Sequence, residues 1–480
     1  MKKVLALALV AAMTATMVLG CGGGNGGSGS SAAPGSSAAQ TQAPGGSQAA
    51  PGSSSEAPAA EGLVLTTDEL NIEMWDIASS DPTKTVQEGP VQEFMADHPN
   101  IHINQVHMVN DTYKQDLIVA MSADKAPQMF IHWTGGPMNE YYRSGFCDVL
   151  DDLYDAYNKV DYLESGLSMC RATDGKLIAL PYGGLSATVV YYNKKMFEEY
   201  GIEVPKTIDE FEAVCDKLLE NGIVPISLGN GSKWTGSLIY MYLVARYGGP
   251  EAVINAYYPE KGGSFADEPF VKAAEKVQEW VRKGYIIEGC NSMTSDAGGD
   301  RAKIYDNTCG MLIHLSSCGG NMKGDMGEEW YNETLGAFKF PIDTESEKAG
   351  VNQNVAVGSA VGNAFSINSK GNEDVRKALW VLANQYFTTD HYAANMLEQC
   401  NKVLSINGLQ ENITDPVVMV SWDTFADATH TQLFYDQYLP ASVAEVHKDT
   451  MSDLFGLTAS PEDVCQRLQD AYTKYLEENK

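Results

Sequence analysis

From Asn71 onward the chain alternates between short apolar runs of period two and longer stretches of helical period, and this alternation constrains its fold more than any other feature. Asn71-Ile72-Glu73-Met74-Trp75-Asp76-Ile77 reads as a strand, which Ser79-Ser80-Asp81-Pro82 breaks. A helix follows through Val86, Val91, Phe94 and Met95, with Pro90 as a kink or a late start. His98-Pro99-Asn100 closes it, and Ile101 to Val106 reads as a second strand. Residues 115–121 are helical in composition, and residues 128–133 form a third strand ended by Gly135-Gly136-Pro137. Strand, helix and strand repeated in this way predict an α/β fold, with helices layered on a mostly parallel sheet.

Leu177 to Gly229 carries the sharpest local signals. Pro181-Tyr182-Gly183-Gly184 interrupts two apolar strands, so the chain turns or crosses there. Thr207-Ile208-Asp209-Glu210 has the form of a capping box, with Thr207 as N-cap and Glu210 reaching back. Ile208, Phe211, Val214, Cys215 and Leu218 then share one apolar face, and Gly222 ends the helix. None of these residues is catalytic by itself.

The first sixty residues cannot belong to that body. Lys2 and Lys3 precede an uncharged apolar run from Val4 to Leu19, the form of a secretory signal peptide over residues 1–20. Val18-Leu19-Gly20-Cys21 resembles the lipobox of bacterial lipoproteins, which implies cleavage before Cys21 and a lipid on that residue. Residues 22–62 are Gly, Ser, Ala, Pro and small polar residues, with Glu56 and Glu61 their charges. Such a segment buries too little surface to offset its ordering entropy, and reads as a tether with a reach on the order of 35 Å. The expected location is the extracellular face of the cell membrane, lipid-anchored.

Composition excludes several classes of partner. With 63 Asp and Glu against 33 Lys and Arg, the net charge is -30, which argues against nucleic acid. Cys147, Cys170, Cys215, Cys290, Cys309, Cys318, Cys400 and Cys465 show no CxxC spacing, so neither a zinc ribbon nor a thioredoxin-type site is indicated. Several lie in apolar helical patterns and read as buried reduced thiols. His102 and His107 are five apart on a strand and face opposite sides, so with His98 they do not form a metal site. No cofactor is implied. GxSxG and GxxxxGK[ST] are absent from the body. Asp151-Asp152 and Glu328-Glu329 cannot serve as facing glycosidase carboxylates from adjacency alone.

The succession "LPYG…YYNK…F…GIEVPKT.DEF….L.ENGI.PI.LG" resembles the extracellular solute-binding proteins of carbohydrate importers, the group containing maltose-binding protein. "APQMFIHWTGGPMNEYYRSGFCDVLDDL", "KWTGSLIYMYLVARYGG", "YDNTCGMLIHLSS" and "LTASPEDVCQRLQDAY" agree in order. The resemblance implies a two-lobed type II periplasmic-binding-protein-like clamshell with discontinuous lobes and a hinge. Residues 63–183 plus 358–404 would form the first lobe, and 184–357 plus 405–480 the second. It further implies a monomeric, non-enzymatic receptor that takes a small-molecule carbohydrate and serves ABC permease subunits with a cytoplasmic ATPase. A binding lipoprotein for a non-sugar solute and a surface-tethered glycoside hydrolase are the alternatives.

A sugar needs aromatic platforms ringed by carboxylates, amides and hydroxyls. On the positions matching the family, the resemblance points to Trp133, Tyr182 and Trp234 as rings. Asp76, Ser79, Ser80, Ser186, Ser316 and Ser317 are the polar contacts. Core packing would equally explain Trp133, hinge packing Tyr182, and a solvated charge Asp76. Where relatives carry an aromatic after Gly-Ser, this chain has His314-Leu315-Ser316-Ser317, so a platform is missing there.

Overall fold

A computed structural model describes residues 63–479. The expected signal peptide, the expected lipidation of Cys21 and the expected tether lie outside the described residues. The first sheet has the order β2-β1-β3-β10-β4 and comprises β1 (Leu70–Asp76), β2 (Ile101–His107), β3 (Met129–His132), β4 (Leu180–Pro181) and β10 (Ala364–Ile367). β1 runs parallel to both β2 and β3, and β10 runs antiparallel to β3 and β4. Phe94, Phe130 and Trp380 are among the side chains fully buried around it.

The second sheet has the order β11-β9-β5-β7-β6, built from β5 (Ser186–Asn193), β6 (Val224–Ser227), β7 (Cys309–Leu315), β9 (Val355–Ser359) and β11 (His430–Gln432). β8 (Leu335–Lys339) also pairs with β5. Here the expectation of a mostly parallel sheet fails: β5 is antiparallel to β7, β8 and β9. For β9 the reason is the chain's path. β5 leaves the first sheet and β9 returns to it, with Ser186 opposite Ser359, and a departing and a returning neighbour must run in opposite directions. Phe211, Trp280 and Tyr435 are buried in this second core.

Three chain passes join the sheets: 183–185, 360–362 and 403–405. Leu185, Ala360 and Val403 form a small apolar cluster of their own with Ile413 and Val418. The passes are stitched by backbone hydrogen bonds, Leu185 N–H donating to Val403 O at 2.7 Å and Gly183 N–H to Asn363 O at 2.9 Å. Gly184 has φ +77°, and a Cβ on it would lie 2.5 Å from Val403 O. A side chain is therefore refused twice, by backbone conformation and by space.

Local signals are realised where they are self-contained. The capping box closes the helix Ile208–Glu220 through both Thr207 and Glu210. The helix Thr83–Asp97 starts well before Pro90 and carries it inside. All eight described cysteines are free and buried.

Candidate ligand-binding cleft

In parallel sheets the carboxyl ends of strands open onto loops, and ligands collect there. The loop after β1 presents Ser79 and Ser80, Trp133 follows β3, Tyr182 and Ser186 flank the first pass between the sheets, and Ser317 follows β7; all line one cavity of about 360 Å³. Trp234 enters from the second sheet's side at the start of the helix Trp234–Tyr257. Its position is fixed by neighbours: Thr235 Oγ1 donates to Gly229 O at 2.8 Å, and Gly236 N–H to Asn230 Oδ1 at 3.1 Å. A larger hollow, about 720 Å³, lies at the opposite ends of β1 and β2 around Asn71 and His102, and no Trp, Tyr or Phe lines it.

Two expected contacts do not reach the cleft. Asp76 is fully buried under it: Gln105 Nε2 donates to its carboxylate at 2.7 Å and Ala78 N–H at 2.8 Å, and His107 Nδ1 lies 2.6 Å away. Strand register explains this, because Asp76 pairs with His107 across the parallel ladder and points to the inner face. Ser316 is likewise consumed, accepting from Ala187 N–H and from Ser421 Oγ. Residues the sequence did not single out complete the walls: Lys114, Asp296, Asp436, Gln437 and Lys402.

The cleft is polar but incompletely satisfied. Tyr182 Oη, Trp234 Nε1 and Gln437 Oε1 are buried with no hydrogen-bond partner among the described residues. Burial raises the Tyr182 hydroxyl well above the ordinary phenol range, so it is a neutral donor. His314 takes the place of the missing platform. Its ring meets Trp234 edge-on at 5.3 Å, its Nε2 lies 2.8 Å from Ser295 Oγ, and burial lowers its pKa. It thus braces Trp234 as a neutral imidazole. Lys114 sits 4.4 Å over the Trp133 ring and pairs with Asp436 at 3.0 Å, and Asn110 Nδ2 donates to Asp296 Oδ2 at 3.2 Å. Both contacts bridge the two sides of the cleft.

Among the described residues, no group of three or more His, Cys, Asp or Glu is arranged to hold a metal ion. His98 packs on Phe94, His102 faces Glu69, and His107 faces Asp76. No described helix is long and apolar enough to cross a membrane.

Comparison with known proteins places this architecture. The model of the bacterial extracellular solute-binding protein family matches residues 79–371, well over half of the chain. The chain belongs to that family. An uncharacterized ABC transporter extracellular-binding protein of Pyrococcus horikoshii is 27% identical over 287 residues, 57% of this chain and 60% of that protein. The chain therefore spans about 60% of that relative's length. A multiple sugar-binding protein of Streptococcus mutans is 20% identical, over 72% of this chain and 77% of its own. Among solved structures, a chitin oligosaccharide binding protein superposes with a TM-score of 0.75 at 22% identity, covering 85% of this chain and 99% of its own. The family member described here thus has the type II solute-binding fold, and its cleft occupies the junction of the two lobes.

Proposed function

We propose that this family member is the receptor of an ABC importer, held by a lipid on Cys21 at the extracellular face of the membrane. It captures a carbohydrate, an oligosaccharide in the favoured reading, between its lobes and delivers it to a membrane permease driven by a cytoplasmic ATPase. One observation carries the ligand class: aromatic rings and unpartnered polar atoms share the cleft, namely Tyr182 Oη, Trp234 Nε1 and Gln437 Oε1. A buried polar atom without a partner costs roughly 1–3 kcal/mol, and a ligand rich in hydroxyls relieves that cost at each of them. The volume, about 360 Å³, lies in the range of small-ligand pockets, roughly 300–1,000 Å³. The relatives named for sugar binding support the same reading.

Capture and release follow from the hinge. A ligand that touches both lobes binds the closed form better and shifts the population toward it. Binding, not catalysis, is the function we assign. The two carboxylates in the lining are each engaged, Asp436 by Lys114 and Asp296 by Asn110, whereas glycoside hydrolysis needs a carboxyl pair flanking the scissile bond.

A thermal-shift screen of the whole chain tests this, with mono- and oligosaccharides against amino acids, peptides and zinc. A ligand at about 100 times its Kd adds about 2.7 kcal/mol of stability. A shift with one sugar class is expected. A shift with amino acids, peptides or zinc and none with sugars contradicts the carbohydrate assignment. Radiolabelled palmitate fed to expressing cells should label the wild-type chain and not Cys21→Ala, and an unlabelled wild type contradicts the anchor.

A further inference from the structure

The cations of the cleft are not alike. Among the described residues that line it, Lys114 pairs with Asp436 at 3.0 Å, Arg301 with Asp325 at 3.2 Å, and Lys448 with Glu445 at 2.7 Å. Lys402 lines the same cavity, is partly buried, and has no carboxylate or carbonyl within hydrogen-bond distance of its ammonium among the described residues. Burial lowers its pKa below the ordinary lysine range, and the one group acting against that shift is the Cys400 thiol rather than a carboxylate. Among the described residues, no acidic side chain is spent on this lysine. An ammonium removed from water without a counter-ion is costly.

The backbone around Lys402 allows little escape. Its N–H donates to Met396 O at 2.9 Å, and the next residue, Val403, is fixed to Leu185 across the hinge. Asn401 Nδ2 lies 3.1 Å from where a Cβ on Gly319 would be, in the first turn of the helix Cys318–Met326. Cys400 sits beside Thr83, the first residue of the helix Thr83–Asp97. The helix Thr83–Asp97 is already capped by Asp81, whose Oδ1 accepts from Thr85 N–H at 3.2 Å, whereas the helix Cys318–Met326 has neither an acidic residue in its first turn nor a side-chain N-cap. The positive end of the helix Cys318–Met326 therefore adds to the field of Lys402 at this corner of the cleft.

Resting on the reading of the cleft as a carbohydrate site, we infer that the carbohydrate taken here is acidic, bearing a single negative charge that pairs with the Lys402 ammonium. The shared chemistry is a monoanion on a sugar ring, either the carboxylate of a uronic acid or a sulfate ester. One unpaired ammonium matches one such charge, and the lining carboxylates Asp296 and Asp436 disfavour a more highly charged ligand.

The test is calorimetry on the whole chain with three sets of probes. These are xylan oligosaccharides carrying a single uronic acid, released from glucuronoxylan, the same pool after reduction of its carboxyl group to an alcohol, and singly sulfated galactan oligosaccharides with their desulfated counterparts. The expected result is that an acidic or a sulfated pool binds about tenfold or more tightly than its neutral counterpart, the ratio set by one hydrogen bond to a charged group. Whichever pool shows the preference identifies the anion. Lys402→Gln should abolish the preference while leaving the ligand-free melting temperature no lower than in the wild type, since the ammonium it removes has no partner to lose. Equal affinity for the charged and neutral pools, or a preference that survives Lys402→Gln, overturns the inference and leaves the carbohydrate assignment standing. Binding to amino acids or peptides and to no sugar pool overturns both.

Discussion

At the scale of single residues, the cleft is defined by atoms that lack partners rather than by those that have them. Tyr182 packs its ring on Phe365 with centroids 3.8 Å apart, yet its buried hydroxyl has no hydrogen-bond partner among the described residues. Tyr182→Phe keeps the ring and removes the orphan. We predict no loss of stability in the free protein, with a gain of up to about 1 kcal/mol, together with about tenfold weaker ligand binding. Melting temperature and calorimetry on the same sample check both halves, and a fall in stability with unchanged affinity would mean that the hydroxyl serves the fold. Asp76 is the converse case. Its residue type and its place after Trp75 suit a sugar contact, but a side chain's face on a strand depends on register. Here register turns it inward onto Gln105 and His107. Trp133 and Trp234 were legible because a ring directly after a strand, or at the first position of a helix, has few places to go except the mouth of the site.

At the scale of elements, what can be read from sequence is what closes within a few residues. The Thr207–Glu210 box is local and forms as expected. The start of the helix around Pro90 was ambiguous because proline removes an N–H without fixing where the helix begins. The antiparallel pairing of β5 with β9 was not legible, since it arises from where the chain re-enters the hinge and not from any run of residues. The hinge glycines show the difference in energetic terms. Gly184→Ala places a Cβ 2.5 Å from Val403 O at φ +77°, and we predict a loss of about 1–3 kcal/mol in denaturant unfolding. Gly145→Ala is the control: its φ is +80° but nothing lies within 4 Å, so it isolates the backbone share, about 1–2 kcal/mol. Equal losses in the two variants would show that the close approach at the hinge contributes nothing.

At the scale of the whole molecule, two cores with their own sheets share a cleft whose walls come from distant parts of the chain. Lys114 and Asp436 meet across it, and no periodicity could have paired them. Lys402 likewise takes its meaning from the absence of a partner, which a sequence cannot display. The cores also set the response to pH. Burial pushes the pKa of His132 down to about 3 and that of His447 down to about 4, so both are neutral in the fold, whereas an unfolded histidine titrates near 6.5. Below about pH 6.5 the unfolded chain therefore binds more protons than the folded one. Stability is retained above that pH and falls as pH drops toward 4, by up to about 1.4 kcal/mol per pH unit for each histidine. Urea midpoints at pH 7.5, 6.5 and 5.5 should decline over the last step, and a flat series would contradict neutral buried histidines.

The central claim is that a carbohydrate sits in this cleft against Trp234. The most direct measurement is calorimetric titration of the stabilising sugar into the whole wild-type chain and into Trp234→Ala. Saturable binding to the wild type is expected, with about thirtyfold or greater weakening in the variant from the loss of a stacked ring. Equal affinity in the two proteins would place the ligand elsewhere and overturn the assignment of this cleft.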